Sequence, residues 1–130
     1  MKTSELTGAA LDWAVCIAEG FKPKQLYINK YPHSPASIYT VTFDDDGNPD
    51  GYMTGPNRLY STKWEAGGPI IDREKLALTP HKSLWSCEIW DLGTLLNMGV
   101  GTTPLIAAMR CYVASKLGDE VEVPQELLGA

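Results

Sequence analysis

The stretch from Thr103 to Gly118 is punctuated as a helix at both ends, and it constrains the rest of the chain. Thr103 suits the N-cap, Pro104 the first helical position, and Gly118 the residue after the last turn. Between them Leu105, Ala108, Met109 and Tyr112 form one apolar stripe, which Val113 and Leu117 widen. Lys116 stands near the C-terminal end, where the helix dipole favours a cation. A stripe this wide needs a partner surface. One candidate is a first helix, in which Leu6, Ala9, Ala10, Trp13 and Ile17 recur at helical spacing. Thr3 or Ser4 can cap it, Gly20 can close it, and Gly8 argues for a start nearer Thr7. Asp12 and Glu19 are expected on its wet side.

Strand signals fill the middle. Leu26 to Ile28 reads as a short strand, and Tyr31 to Pro35, with His33, as an irregular loop. Ser37 to Phe43 is the clearest strand, with Tyr39, Val41 and Phe43 on one face. Ser61 can cap one short turn of helix that Gly67 ends and Pro69 redirects. Asp72 to Lys75 is then a brief helix or a turn. Leu76–Thr79 and Leu84–Trp90 read as an antiparallel pair, followed by a loop from Asp91 to Gly101. The expected fold is α+β: a small antiparallel sheet of three to four strands packed by an N-terminal and a C-terminal helix. A chain of 130 residues buries roughly two-thirds of its extended surface, enough for one core. One globular domain over 1–130 is therefore expected, with a short acidic tail from about 119, where Val121 and Val123 can dock.

Charge narrows the partners. Eleven Lys and Arg against sixteen Asp and Glu leave −5, which argues against nucleic acid and anionic lipid as partners. The first residues lack a signal-peptide apolar run, so a cytosolic protein is expected. Cys16, Cys87 and Cys111 are odd in number and far apart, which fits buried small hydrophobes, not a disulfide frame or zinc site. Asp44 to Asp50 resembles a calcium loop, but Thr42 and Met53 fall where its first and last ligands belong. No metal and no cofactor are expected.

Catalytic signals are sparse. His33 and His81 each adjoin a proline in a loop, and no nucleophile or phosphate-loop motif occurs. Asp72, Glu74 and Glu88 are carboxylates whose spacing does not single them out for acid–base work. No catalytic residue is assigned. Two segments point to ligand binding. In Gly99-Val100-Gly101-Thr102-Thr103-Pro104, glycines and hydroxyls precede a helix N-terminus that can hold an anion. In Trp64 to Arg73, an indole offers a stacking face, Gly67 and Gly68 ahead of Pro69 allow close approach, and Arg73 beside Asp72 offers a bidentate cation. The plainer reading makes the first a capped helix after a loop and the second a tight turn with Trp64 in the core. Trp90 points opposite to Trp85, toward a pocket, an interface or a covering loop, and Arg110 lies two turns into the last helix.

Across Tyr60 to Glu74 and Thr103 to Arg110, and also at Leu6 to Val15 and Val113 to Val121, the chain resembles the NinX-like family, small accessory proteins of tailed phages and prophages. The stretches Lys30–Asn57 and Asp91–Gly101 carry no shared pattern. The resemblance implies a phage product made in the host bacterial cytoplasm and brings no catalytic residues. The expected function is non-enzymatic sequestration of a small anionic, nucleotide-derived ligand such as a host defence signal, with sites between subunits if the chain forms a homo-oligomer. Its candidate contacts are Trp64, Gly67, Gly68, Pro69, Asp72, Arg73, Trp90, Thr102, Thr103 and Arg110. The alternatives are an inhibitor or adaptor of a host protein and a small hydrolase using clustered carboxylates.

Overall fold

The computed structural model describes residues 1–30, 32, 35–53 and 58–128. Its elements run α1 (Gly8–Ala18), β1 (Leu26–Asn29), β2 (Ser37–Phe43), β3 (Pro49–Met53), α2 (Trp64–Glu74), β4 (Ala77–Pro80), β5 (Trp85–Asp91), β6 (Thr94–Gly101) and α3 (Pro104–Leu117). His33 and residues 54–57 lie outside the described residues. The class is the expected α+β, with helices near both ends, but the strands form two antiparallel meanders, β1-β2-β3 and β4-β5-β6.

α3 is the centre of the packing. It contacts all three strands of the second sheet as well as α1 and α2. Thr103 caps it as expected, its Oγ1 accepting the Ile106 N–H at 3.1 Å. Leu105, Ala107, Ala108, Met109, Cys111, Tyr112 and Val113 are all buried, so the stripe expected on one face continues around the helix. Its approach to β6 is set by two glycines. A Cβ on Gly99 would stand 2.5 Å from the Ala107 carbonyl oxygen, and one on Gly101 2.6 Å from Ile106 Cγ2. Only bare backbone admits the helix at this distance.

α1 begins after Thr7, and Gly8 takes φ 55, a left-handed entry that a side chain would strain. Residues Ala10 through Cys16 are buried without a break, because α1 lies between α3 and β2. Asp12 is therefore inside, not on the wet side. Leu11, Val15, Met109 and Val113 meet in the same core, where each buried aliphatic side chain contributes about 1.5–3 kcal/mol.

In β2 the face opposite Tyr39 and Val41 is the buried one. Ile38 and Thr40 are buried and Phe43 is exposed, because it is Ile38 that joins the core. The Asp44 turn is held by its own carboxylate, which accepts the N–H groups of Asp46 and Asn48 at 3.0 and 2.8 Å.

Two segments expected to be irregular are regular. α2 runs straight through Gly67, Gly68 and Pro69 and ends at Lys75, whose φ of 54 closes it left-handed. Burial of Ala66, Gly67 and Ile70 outweighs the poor helix propensity of the Gly-Gly-Pro run. The stretch Asp91–Gly101 is a strand joined to β5 by the two-residue turn Leu92-Gly93, both at positive φ (48° and 84°). After α3 the chain returns to the N-terminus. Thr3 donates its N–H to Asp119 O (2.8 Å) and its hydroxyl to Gly118 O (2.7 Å), and Val121 docks in the core. Among the described residues no helix is long and apolar enough to cross a membrane.

Candidate functional site

The first turns of α2 and α3 meet at one cavity of about 290 Å³. Ser61 and Thr62, just ahead of α2, and Trp64, its first residue, line one side, and the α3 cap Thr103 with Pro104 to Ile106 the other. Trp64 is not in the core: the indole is 53% exposed at the cavity mouth. The α2 N-terminus carries no side-chain cap, so the Trp64 and Glu65 amides open the helix without one. At α3, Pro104 has no N–H and the Thr103 hydroxyl takes the Ile106 amide, which leaves the Leu105 amide at that end. Thr102 is exposed beside it.

Asp12 fixes this corner from beneath. It is 2% exposed and accepts the Ser61 backbone N–H at 2.8 Å, while Ser61 Oγ reaches Gly8 O at 3.4 Å. Desolvation pushes the carboxyl up to about 6, against the opposing effect of the Ser61 hydrogen bonds. Gly67 serves the same junction. A Cβ there would meet the Tyr60 carbonyl oxygen at 2.5 Å and Leu105 Cδ2 at 2.7 Å, so the close approach it permits is that of the protein itself. Gly68 has only Trp64 Cε3 near its missing Cβ, at 3.8 Å. Pro69 sits within α2, and Asp72 is an exposed residue of its last turn.

Arg73 does not line the cavity. Its guanidinium grips Glu19 with two bonds (3.1 and 2.7 Å), donates to Glu74 through Nε (2.9 Å) and reaches the Tyr112 hydroxyl at 3.1 Å. Lys116 stands 3.6 Å from Glu74 on the far side. Burial pulls the Glu19 carboxyl upward, but hydrogen bonds from Arg73 and Tyr112 outweigh it and hold the group below its ordinary value. Burial, and then the bond to Glu19, push the Tyr112 phenol up. The cluster ties the ends of α1 and α2 to α3.

Arg110 is likewise engaged with the backbone, donating to Leu6 O (2.8 Å) and Val100 O (2.7 Å). It borders a second, larger groove of about 500 Å³ along the open edge of β6, between Val100, Ala114 and the N-terminal residues Lys2 to Ser4. Trp90 is on the outer face of the second sheet, 55% exposed, next to a register shift between Ile89 and Trp90. Thus Trp64 and Thr103 share one cavity, whereas Arg73, Arg110 and Trp90 stand at three other places. Gly99 and Gly101 lie in β6 against α3, not in an anion-holding loop.

One polar chain was not legible as such. His81 Nε2 lies 2.9 Å from Ser86 Oγ, and Ser86 Oγ donates to Glu88 Oε1 at 3.1 Å. A nucleophilic serine passes its proton to the imidazole; here the hydroxyl points it at Glu88 and the side chain belongs to a residue 6% exposed. Its only sequence signal is the placement of His81 and Ser86 on either side of the β4–β5 turn. The three cysteines are free and buried, and burial pushes the Cys16 thiol up to about 12, far from a reactive thiolate.

A family model described as "Bacteriophage P22, NinX" matches residues 2–116. A comparison with curated proteins gives no match.

Proposed function

The chain belongs to the NinX family of phage proteins, and from that premise we propose that it is a non-enzymatic binder of a small anionic, nucleotide-derived ligand in the host bacterial cytoplasm. The observation that carries this reading is the meeting of two helix N-termini and a half-exposed indole at one cavity. Each N-terminus presents about half a positive charge and unpaired amides, which favour phosphate. The indole supplies a face on which a base stacks. In this reading Trp64 stacks and the α2 amides and the Thr62 and Thr103 hydroxyls take the anion, while Arg73 and Arg110, engaged elsewhere, do not touch it.

Thermal shift with a panel of cyclic and ADP-ribose-type nucleotides tests it. A ligand at a hundred times its Kd adds about 2.7 kcal/mol, a rise in Tm of several degrees. No shift with any member of the panel sinks the reading. The inhibitor or adaptor alternative draws on the exposed apolar face of the second sheet. A stoichiometric host protein retained from lysate favours that alternative, whereas a nucleotide released intact on heating favours the binder and excludes the hydrolase.

A further inference from the structure

We propose that Cys87 and Cys111 form a reversible oxidation site, at which a peroxide closes a disulfide between β5 and α3. This does not rest on the ligand reading. The two cysteines are far apart in the sequence, and Gly99 brings them together. Cys87 stands directly opposite Gly99 in the β5–β6 ladder, and opposite residues of an antiparallel pair point to the same face. On that face Cys111 sits on Gly99 itself: a Cβ there would lie 2.6 Å from the Cys111 N and 3.0 Å from its Cα. The step across the ladder is about 5.5 Å and the step off the sheet about 4.5 Å, so the two Cα atoms stand roughly 7 Å apart, at the upper reach of a disulfide. The bare backbone that admits the helix therefore also makes the sulfur pair.

Both residues are fully buried. The Cys87 thiol hydrogen-bonds to the Cys111 sulfur, which lowers the Cys111 pKa against the effect of burial and, together with burial, raises that of Cys87. Cys111 is thus the thiolate of the pair and Cys87 the resolving thiol. Cys16, on α1, instead hydrogen-bonds Tyr60. The 500 Å³ groove is lined by Gly99, Arg110 and Ala114, close neighbours of the pair, and gives a small oxidant its approach. The reaction then proceeds through local opening at this edge of the sheet. The Cys111 thiolate attacks one peroxide oxygen, the O–O bond breaks, and hydroxide leaves with the Cys111 proton as water. Cys87 attacks the resulting sulfenic sulfur. The S–S bond forms as the S–O bond breaks, and the hydroxyl leaves with the Cys87 proton as a second water. Two thiols lose two electrons, and the peroxide gains them. A thiol reductant reverses the step, so in a reducing compartment the bridge is transient.

Peroxide treatment of the native full chain, followed by alkylation in urea and mass spectrometry, tests this. The expected product has lost two hydrogens, keeps one alkylatable thiol of three, and joins the peptides that hold Cys87 and Cys111. Dithiothreitol restores all three thiols. Cys16→Ala is expected to leave rate and yield unchanged. Cys87→Ala, folded by circular dichroism, is expected to form no intrachain bridge and to carry Cys111 to sulfinic acid. The wild-type peptide map decides the matter even where a variant fails to fold. No intrachain disulfide in the native wild type, a bridge to Cys16, or a bridge that forms only in urea overturns the inference.

Discussion

Asp12 on α1 accepts a 2.8 Å hydrogen bond from the backbone N–H of Ser61, three residues before the indole of Trp64. A buried carboxylate thereby fixes the segment from which the candidate cavity is built. The bond satisfies a buried amide, but the charge remains costly to hold away from water.

That cost has a pH signature. The folded-state value of Asp12 is raised from 3.8 to about 6, so folding favours its protonated form. Its effect on stability is most favourable below about 4 and is lost as pH rises to about 6, a change of about 3 kcal/mol. Asp12→Asn keeps an oxygen for the Ser61 amide and removes the charge. Thermal melts should show a higher Tm for the variant at pH 7.5 and a shallower dependence between pH 4 and 6. Asp12→Ala should instead lose about 1–3 kcal/mol, because it strands the amide.

Adjacent glycines in α2 should respond in opposite directions. Gly67→Ala drives a methyl against the Tyr60 carbonyl oxygen, and urea unfolding should show a loss of at least about 2 kcal/mol. Gly68→Ala meets only ordinary contact with Trp64 and should gain about 0.5–1 kcal/mol from better helix propensity.

Arg73 should behave as a clamp. Its side chain is half exposed, so the pair with Glu19 is screened and should contribute only about 1 kcal/mol. A double-mutant cycle with Arg73→Met and Glu19→Gln measures this coupling, which should shrink in high salt. Glu19 is held below its ordinary value; its contribution is therefore present above about 4.5 and fades as pH falls through the lowered folded-state value. In Arg73→Met that acid loss should diminish.

Much of this architecture is legible in the sequence. Thr103, Pro104 and Gly118 delimit α3, and the Leu6 to Ile17 spacing finds α1, because capping and period are local properties. β6 is not legible. Its turn is Leu92-Gly93 where Asn-Gly would announce a hairpin, and its inward positions 99 and 101 are glycines, so no apolar alternation survives. Gly67 does permit close approach, as read, and so does Gly99, read only as part of an anion-holding loop; what approaches both is the protein itself, which no local pattern reveals. Trp64 and Thr103 meet only because α2 persists through Pro69 to pack on α3. Asp12 looks like a surface residue until the partner of its α1 face is known.

Isothermal titration of the nucleotide panel into wild type, Trp64→Ala and Arg73→Met tests the ligand-binding account most directly. The expected result is saturable binding of an anionic nucleotide, one per chain, abolished in Trp64→Ala and retained in Arg73→Met. Absence of binding across the panel, or binding that survives Trp64→Ala unchanged, would contradict it.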